Sequence, residues 1–161
     1  DIETVEVFFA NNQILFRSEH ISFYTRLLEG NYPDTDRLIP TEFNTEATFN
    51  VANLRFAMER ARLLSNATQN GTVKLEFKNG VVSAHVHSPE VGRVNEEIDT
   101  SAVSGEDLSI SFNPTYLIEA LKAIDSEQVV IRFISSVRPF TLVPEGNEQG
   151  FIQLITPVRT N

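Results

Sequence analysis

The chain has 161 residues, 41% of them hydrophobic, and a formal net charge of −9. That is ordinary globular composition, with length for one domain plus a piece of another, and no apolar run approaches the roughly 20 residues that span a bilayer. The absence of cysteine excludes disulfide staples and cysteine-ligated zinc and agrees with a reducing cytoplasm, while the acidic balance argues against a nucleic-acid binder unless positive charge is concentrated locally. The start, Asp1-Ile2-Glu3-Thr4, has neither an initiator Met nor the basic head and apolar run of a signal peptide, and reads as the start of a fragment.

Val5–Phe9, Ile14–Phe16 and Ile21–Thr25 read as strands, with a turn over Ala10–Gln13. Three strands are too few to bury a core, so residues 1–35 read as the tail of a preceding domain. Gly30 and Pro40 break any regular pattern, and 29–42 reads as an ordered linker. A strand over 45–49 then leads through Asn50, a good N-cap, into a helix over 51–65. There Val51, Leu54, Ala57, Met58, Ala61 and Leu64 recur at helical spacing. Strands follow near 72–77, 81–87 and 91–99, the first two joined by the hairpin dipeptide Asn79-Gly80. A strand over 107–112 leads into a helix over 114–124, capped by Asn113 with Pro114 at its first position. Strands near 128–134, 138–143 and 150–156 close the chain.

Thr48-Phe49-Asn50-Val51-Ala52-Asn53-Leu54 and Ser111-Phe112-Asn113-Pro114-Thr115-Tyr116-Leu117 are two copies of one pattern. In each, a strand ends in Phe-Asn and the Asn caps a helix that presents Leu, then Ala57 or Ala120, to one face. The sequence therefore predicts an α+β fold for 36–161: a duplicated βαβββ unit whose two helices lie side by side on a largely antiparallel sheet.

Catalytic chemistry is sparse, and no phosphate loop, nucleophile elbow or ligand cluster stands out. His85 and His87 share one strand face, as half a metal site or as plain solvent-facing residues. Glu96 and Glu97 are adjacent in a strand and point to opposite faces, as a solvated or an interface pair. The first helix carries Arg55, Arg60 and Arg62 against Glu59 alone, a local net of +2 in a chain of −9. Arg55 and Arg62, one heptad apart, are either the polar flank of a surface helix or a phosphate contact. Phe56 and Leu63 lie opposite the buried stripe with Arg60 near them. They are either scattered surface apolar residues or a subunit contact.

The repeat, Asn31-Tyr32-Pro33-Asp34, the helix end Glu59–Asn66, Phe112–Leu117 and the terminal Leu154-Ile155-Thr156-Pro157-Val158-Arg159 occur together in this order. In this the chain resembles the β sliding clamp family of bacterial DNA polymerase III, over its whole length. Residues 1–35 resemble the end of that family's second domain and 36–161 its complete third domain.

The resemblance implies the DNA-clamp fold and a head-to-tail homodimeric ring around duplex DNA, contacting phosphate without reading sequence, in the bacterial cytoplasm. It implies a processivity factor with no catalysis, metal or cofactor, and no membrane contact. Arg55 and Arg62 would face DNA, and Phe56, Arg60, Leu63 and Leu64 would form the dimer interface. It further implies a pocket that takes a short, mostly apolar peptide from polymerase subunits, the clamp loader and repair proteins. The matching positions are Pro33, Arg37, Leu38, Gln69, Asn113, Tyr116, Val137, Pro139, Leu154, Thr156, Pro157, Val158 and Arg159. Gln69 stands where some members carry an aromatic, and Thr156 where they carry a larger apolar residue, which bears on peptide preference. Tyr116 and Val137 taken alone also fit ordinary core positions. The alternatives are a peptide-binding adaptor domain without DNA contact and a small-molecule enzyme on an α+β scaffold.

Overall fold

The computed structural model describes residues 4–32, 34–65, 71–88, 92–147 and 150–159. Two units divide the chain, Asp1–Asp36 and Arg37–Asn161. The first is a three-stranded antiparallel sheet of β1 (Glu6–Phe9), β2 (Gln13–Arg17) and β3 (Ser22–Arg26), in that order. The expected turn closes with the Ala10 N–H donating to the Gln13 carbonyl at 2.9 Å. Register places Val7, Phe16 and Phe23 on one face and Phe8, Leu15 and Tyr24 on the other. No described side chain of this sheet is buried, as three strands without a covering layer require.

In the second unit the order is β4 (Thr45–Asn50), α1 (Val51–Ser65), β5 (Val73–Lys78), β6 (Val81–Ser88), β7 (Gly92–Ile98), β8 (Ala102–Gly105), β9 (Leu108–Phe112), α2 (Pro114–Lys122), β10 (Gln128–Phe133), β11 (Phe140–Pro144) and β12 (Gln153–Ile155). The strands form two antiparallel sheets, β12-β11-β10-β4-β8 and β7-β6-β5-β9. The repeat predicted from sequence explains this order. Each copy lends its first strand to the other copy's sheet: β4 pairs with β10, placing Phe49 opposite Val129, and β9 pairs with β5, placing Phe112 opposite Val73. Neither half completes a sheet alone, so the duplicated unit folds as one body.

The caps behave as their residue types demand. Asn50 Oδ1 accepts from the Asn53 N–H at 3.1 Å, and Asn113 Oδ1 from the Thr115 N–H at 2.9 Å. Asn79 and Gly80 both adopt positive φ, 51° and 78°, as a two-residue hairpin turn requires. The stripe of Leu54, Ala57, Met58 and Ala61 is buried, and α1 packs beside α2. Inside, rings from both sheets meet in a chain: Phe77 to Phe133 at 4.9 Å, Phe133 to Phe140 at 5.1 Å and Phe140 to Phe112 at 5.1 Å. Phe77 and Phe112 belong to one sheet and Phe133 and Phe140 to the other, so this stack joins the two sheets.

Two features go beyond the fold read from sequence. The strands of the repeat are divided between two sheets, because the copies exchange strands. The first copy also carries an extra strand, β8, at the edge beside β4. Its four residues, Ala-Val-Ser-Gly, are too short to stand out from loop. Gly105 ends it at φ +96°, where an added Cβ would run into the Asn44 carbonyl.

Candidate functional site

From Pro114 onward, α2 places Tyr116, Glu119, Ala120 and Ala123 at i, i+3, i+4 and i+7, one face of the helix. That face looks onto the edge strand β12. Between them lies a groove of about 540 Å³, completed by Gln153, Leu154, Ile155 and Thr156. Tyr116, 59% exposed, stands at its rim. The floor is held by the β11–β12 pairing of Phe140 with Ile155 and Thr141 with Leu154. Beyond β12 the chain crosses to β9, where the Val158 N–H donates to the Ser111 carbonyl at 2.7 Å, two residues before the Asn113 cap.

Of the residues singled out for a peptide pocket, Tyr116, Leu154 and Thr156 line this groove. Pro157 and Val158 continue from it, half-buried, and Arg159 is exposed. Val137, 56% exposed, and Pro139 lie in the loop entering β11, beside Phe140, which pairs with β12. Arg37 ends a single 3-10 turn, Thr35–Arg37, and Leu38 follows it at 53% exposure; neither is among the groove's lining residues. Pro33 and Gln69 lie outside the described residues. Sequence reading did not single out Glu119, Ala120, Ala123, Gln153 and Ile155 for the pocket. The signal available for the first three was their helical spacing from Tyr116.

On α1, Phe56 and Leu63 are 48% and 72% exposed. Phe56 and Arg60 line a shallow cleft of about 270 Å³ with Asn53, Glu96 and Glu97. Arg60 makes a two-point ion pair with Glu96 of β7, its Nε donating to Oε2 at 3.2 Å and its Nη2 to Oε1. The hydrogen bond to Glu96 holds the Arg60 guanidinium above its ordinary pKa, against a smaller opposing effect of burial. Glu96 pairs in register with the buried Ala84 and Glu97 with Ser83. The two acids therefore point to opposite faces. Leu64 packs, half-buried, against the core.

Arg55 lines a crevice between α1 and α2 with Leu121 and Lys122. Its Nε is shielded from solvent and has no hydrogen-bond partner among the described residues, 3.7 Å from Glu59 Oε1, and its guanidinium lies over the Phe56 ring at 5.3 Å. Arg62 is half-buried later on the same helix.

His85 is held within its sheet: Nδ1 lies 2.8 Å from Asn95 Oδ1, and Nε2 lies 3.4 Å from Glu76 Oε2. Among the described residues no three His, Cys, Asp or Glu side chains are placed to hold one metal ion. No helix of the described residues is long and apolar enough to cross a membrane.

Two strand-exchanged βαβββ halves, with paired helices against antiparallel sheets, define a DNA-clamp fold. The match to solved clamps is close. The crystal structure of the DNA polymerase III beta chain of Streptococcus pneumoniae superposes with a TM-score of 0.91 at 80% identity, covering 99% of this chain and 42% of that one. That of the beta subunit from Streptococcus pyogenes DNA polymerase gives 0.87 at 73% identity, covering 99% and 43%. The chain belongs to the family described as DNA polymerase III beta subunit, C-terminal domain, which matches residues 36–159. It is 81% identical to the beta sliding clamp of Streptococcus pneumoniae over all 161 residues, and spans 43% of that relative's length.

Proposed function

We propose that this chain is the C-terminal part of a sliding clamp, a ring that encircles duplex DNA and tethers DNA polymerase subunits, clamp loader and repair proteins to it. Residues 1–35 are then the last strands of the second clamp domain, and 36–161 are the third. The observation that carries the reading is the groove between α2 and β12, where Tyr116 of the helix meets Leu154 and Thr156 of the C-terminal strand and the residue after it. Concave, mostly apolar surface with a few polar groups is what a short docking peptide needs. One or two apolar anchors contribute roughly 1.5–3 kcal/mol each, less ordering costs, which by themselves fall short of the roughly 8 kcal/mol of micromolar binding, so docked partners exchange readily.

The ring itself acts by topology rather than by chemistry. The local positive charge of α1, in a chain of −9, supports an inward-facing helix that meets phosphate and an acidic exterior that repels it. Contacts to phosphate alone carry no sequence information, so such a ring slides. It works in the bacterial cytoplasm as a homodimer, without metal or cofactor. The test is retention on DNA. A clamp of the relatives' full length carrying this sequence, once loaded, stays on a closed circular duplex at high salt and is lost when the circle is cut. Peptide binding without retention on the circle would instead identify an adaptor.

A further inference from the structure

We propose that Glu119 makes the α2–β12 groove selective for a peptide with a lysine or arginine beside its apolar anchor, an inference that rests on the docking reading above. The groove's lining combines the apolar surface of Ala120, Ala123 and Leu154 with one carboxylate, that of Glu119, and no cation. Glu119 lies three residues after Tyr116 on the same helical face, so a ligand anchored against the ring comes within reach of the carboxylate.

Its one partner among the described residues is Lys122, whose Nζ donates to Oε1 at 2.8 Å. The two side chains are 59% and 50% exposed. An exposed pair three residues apart on a helix is weak and exchanges readily, and it leaves Oε2 open to accept from an incoming ammonium or guanidinium. A peptide acid at the same place meets the Glu119 charge, which the exposed Lys122 outside the lining offsets only in part, so selectivity comes from repulsion as well as attraction. The net charge of −9 acts in the same direction on a cationic ligand as it approaches.

Two synthetic peptides test this. They share one core of two leucines and a phenylalanine and differ only in a flanking Lys or Glu; both are titrated calorimetrically into the complete 161-residue chain. The lysine peptide binds about two- to five-fold more tightly, the range an exposed charge pair supports. Glu119→Gln removes the preference, Glu119→Lys reverses it, and Lys122→Gln, which frees the carboxylate, widens it. Equal affinity of the two peptides for the unaltered chain, or a preference that persists in Glu119→Lys, overturns the selectivity and leaves the docking groove standing. Binding of neither peptide overturns the docking reading and this inference with it.

Discussion

Val158 and Ser111 are joined backbone to backbone, N–H to carbonyl, at 2.7 Å. This bond ties the tail that follows β12 to the strand that leads into α2. Besides the β11–β12 pairing, the two walls of the groove are thus tied by a contact between residues 47 positions apart in the chain.

Deleting residues 156–161 removes that tie along with Thr156, Pro157 and Val158. The β11–β12 pairing and the core are untouched, because the last described core residue of β12 is Ile155. The truncated chain is expected to stay folded by circular dichroism and to lose clamp-binding peptide in calorimetry. A folded truncation with unchanged affinity places the docking site elsewhere.

Leu63 exposes 72% of its surface on the outer side of α1. Within this domain a Leu63→Asp change therefore costs little, within about 0.5 kcal/mol as for other surface sites. In a clamp of the relatives' full length it is expected to give monomers in sedimentation velocity, because a buried, unpaired carboxylate opposes the proposed interface. A persisting dimer removes Phe56 and Leu63 from that interface.

Replacing both Arg55 and Arg62 by Ala is expected to weaken DNA binding uniformly across sequences. Each lost phosphate contact lowers the salt slope by about 1. Arg55 also packs over Phe56, so thermal stability is measured alongside. A salt dependence that does not change leaves these arginines as the polar flank of the helix.

Phe133 is fully buried and contacts Phe77 across the sheets and Phe140 within its own. Phe133→Ala opens a cavity where the two sheets meet and should cost about 3–5 kcal/mol in urea unfolding. A cost under about 1 kcal/mol would show that the ring stack does not join the sheets.

Gly105→Ala is expected to destabilise the domain by more than about 1 kcal/mol in the same assay. Its φ of +96° and the Asn44 carbonyl behind it leave no room for a methyl group. A neutral effect would mean that β8 shifts at no cost and contributes little to the sheet edge.

Local rules in the sequence were enough for most elements of this protein. Helical spacing in 51–65, the Phe-Asn caps at Asn50 and Asn113 and the Asn79-Gly80 turn each depend on neighbours a few residues away. All three are found where those rules place them. The repeat was legible because both copies face the same local problem, ending a strand and starting a helix. Which sheet each strand joins was not, since the exchange of β4 and β9 depends on pairing between distant segments, which residue pattern alone does not specify. The edge strand β8 stayed hidden for a related reason: its four residues take their extended form from the Thr45–Thr48 strand beside them, not from their own propensity. The groove belongs to the same class. Tyr116 and Leu154 were nameable from family resemblance, but Glu119, Ala120 and Gln153 became wall residues only when β12 closed against α2, because a concave surface is made by elements meeting in space and has no local signature in the chain.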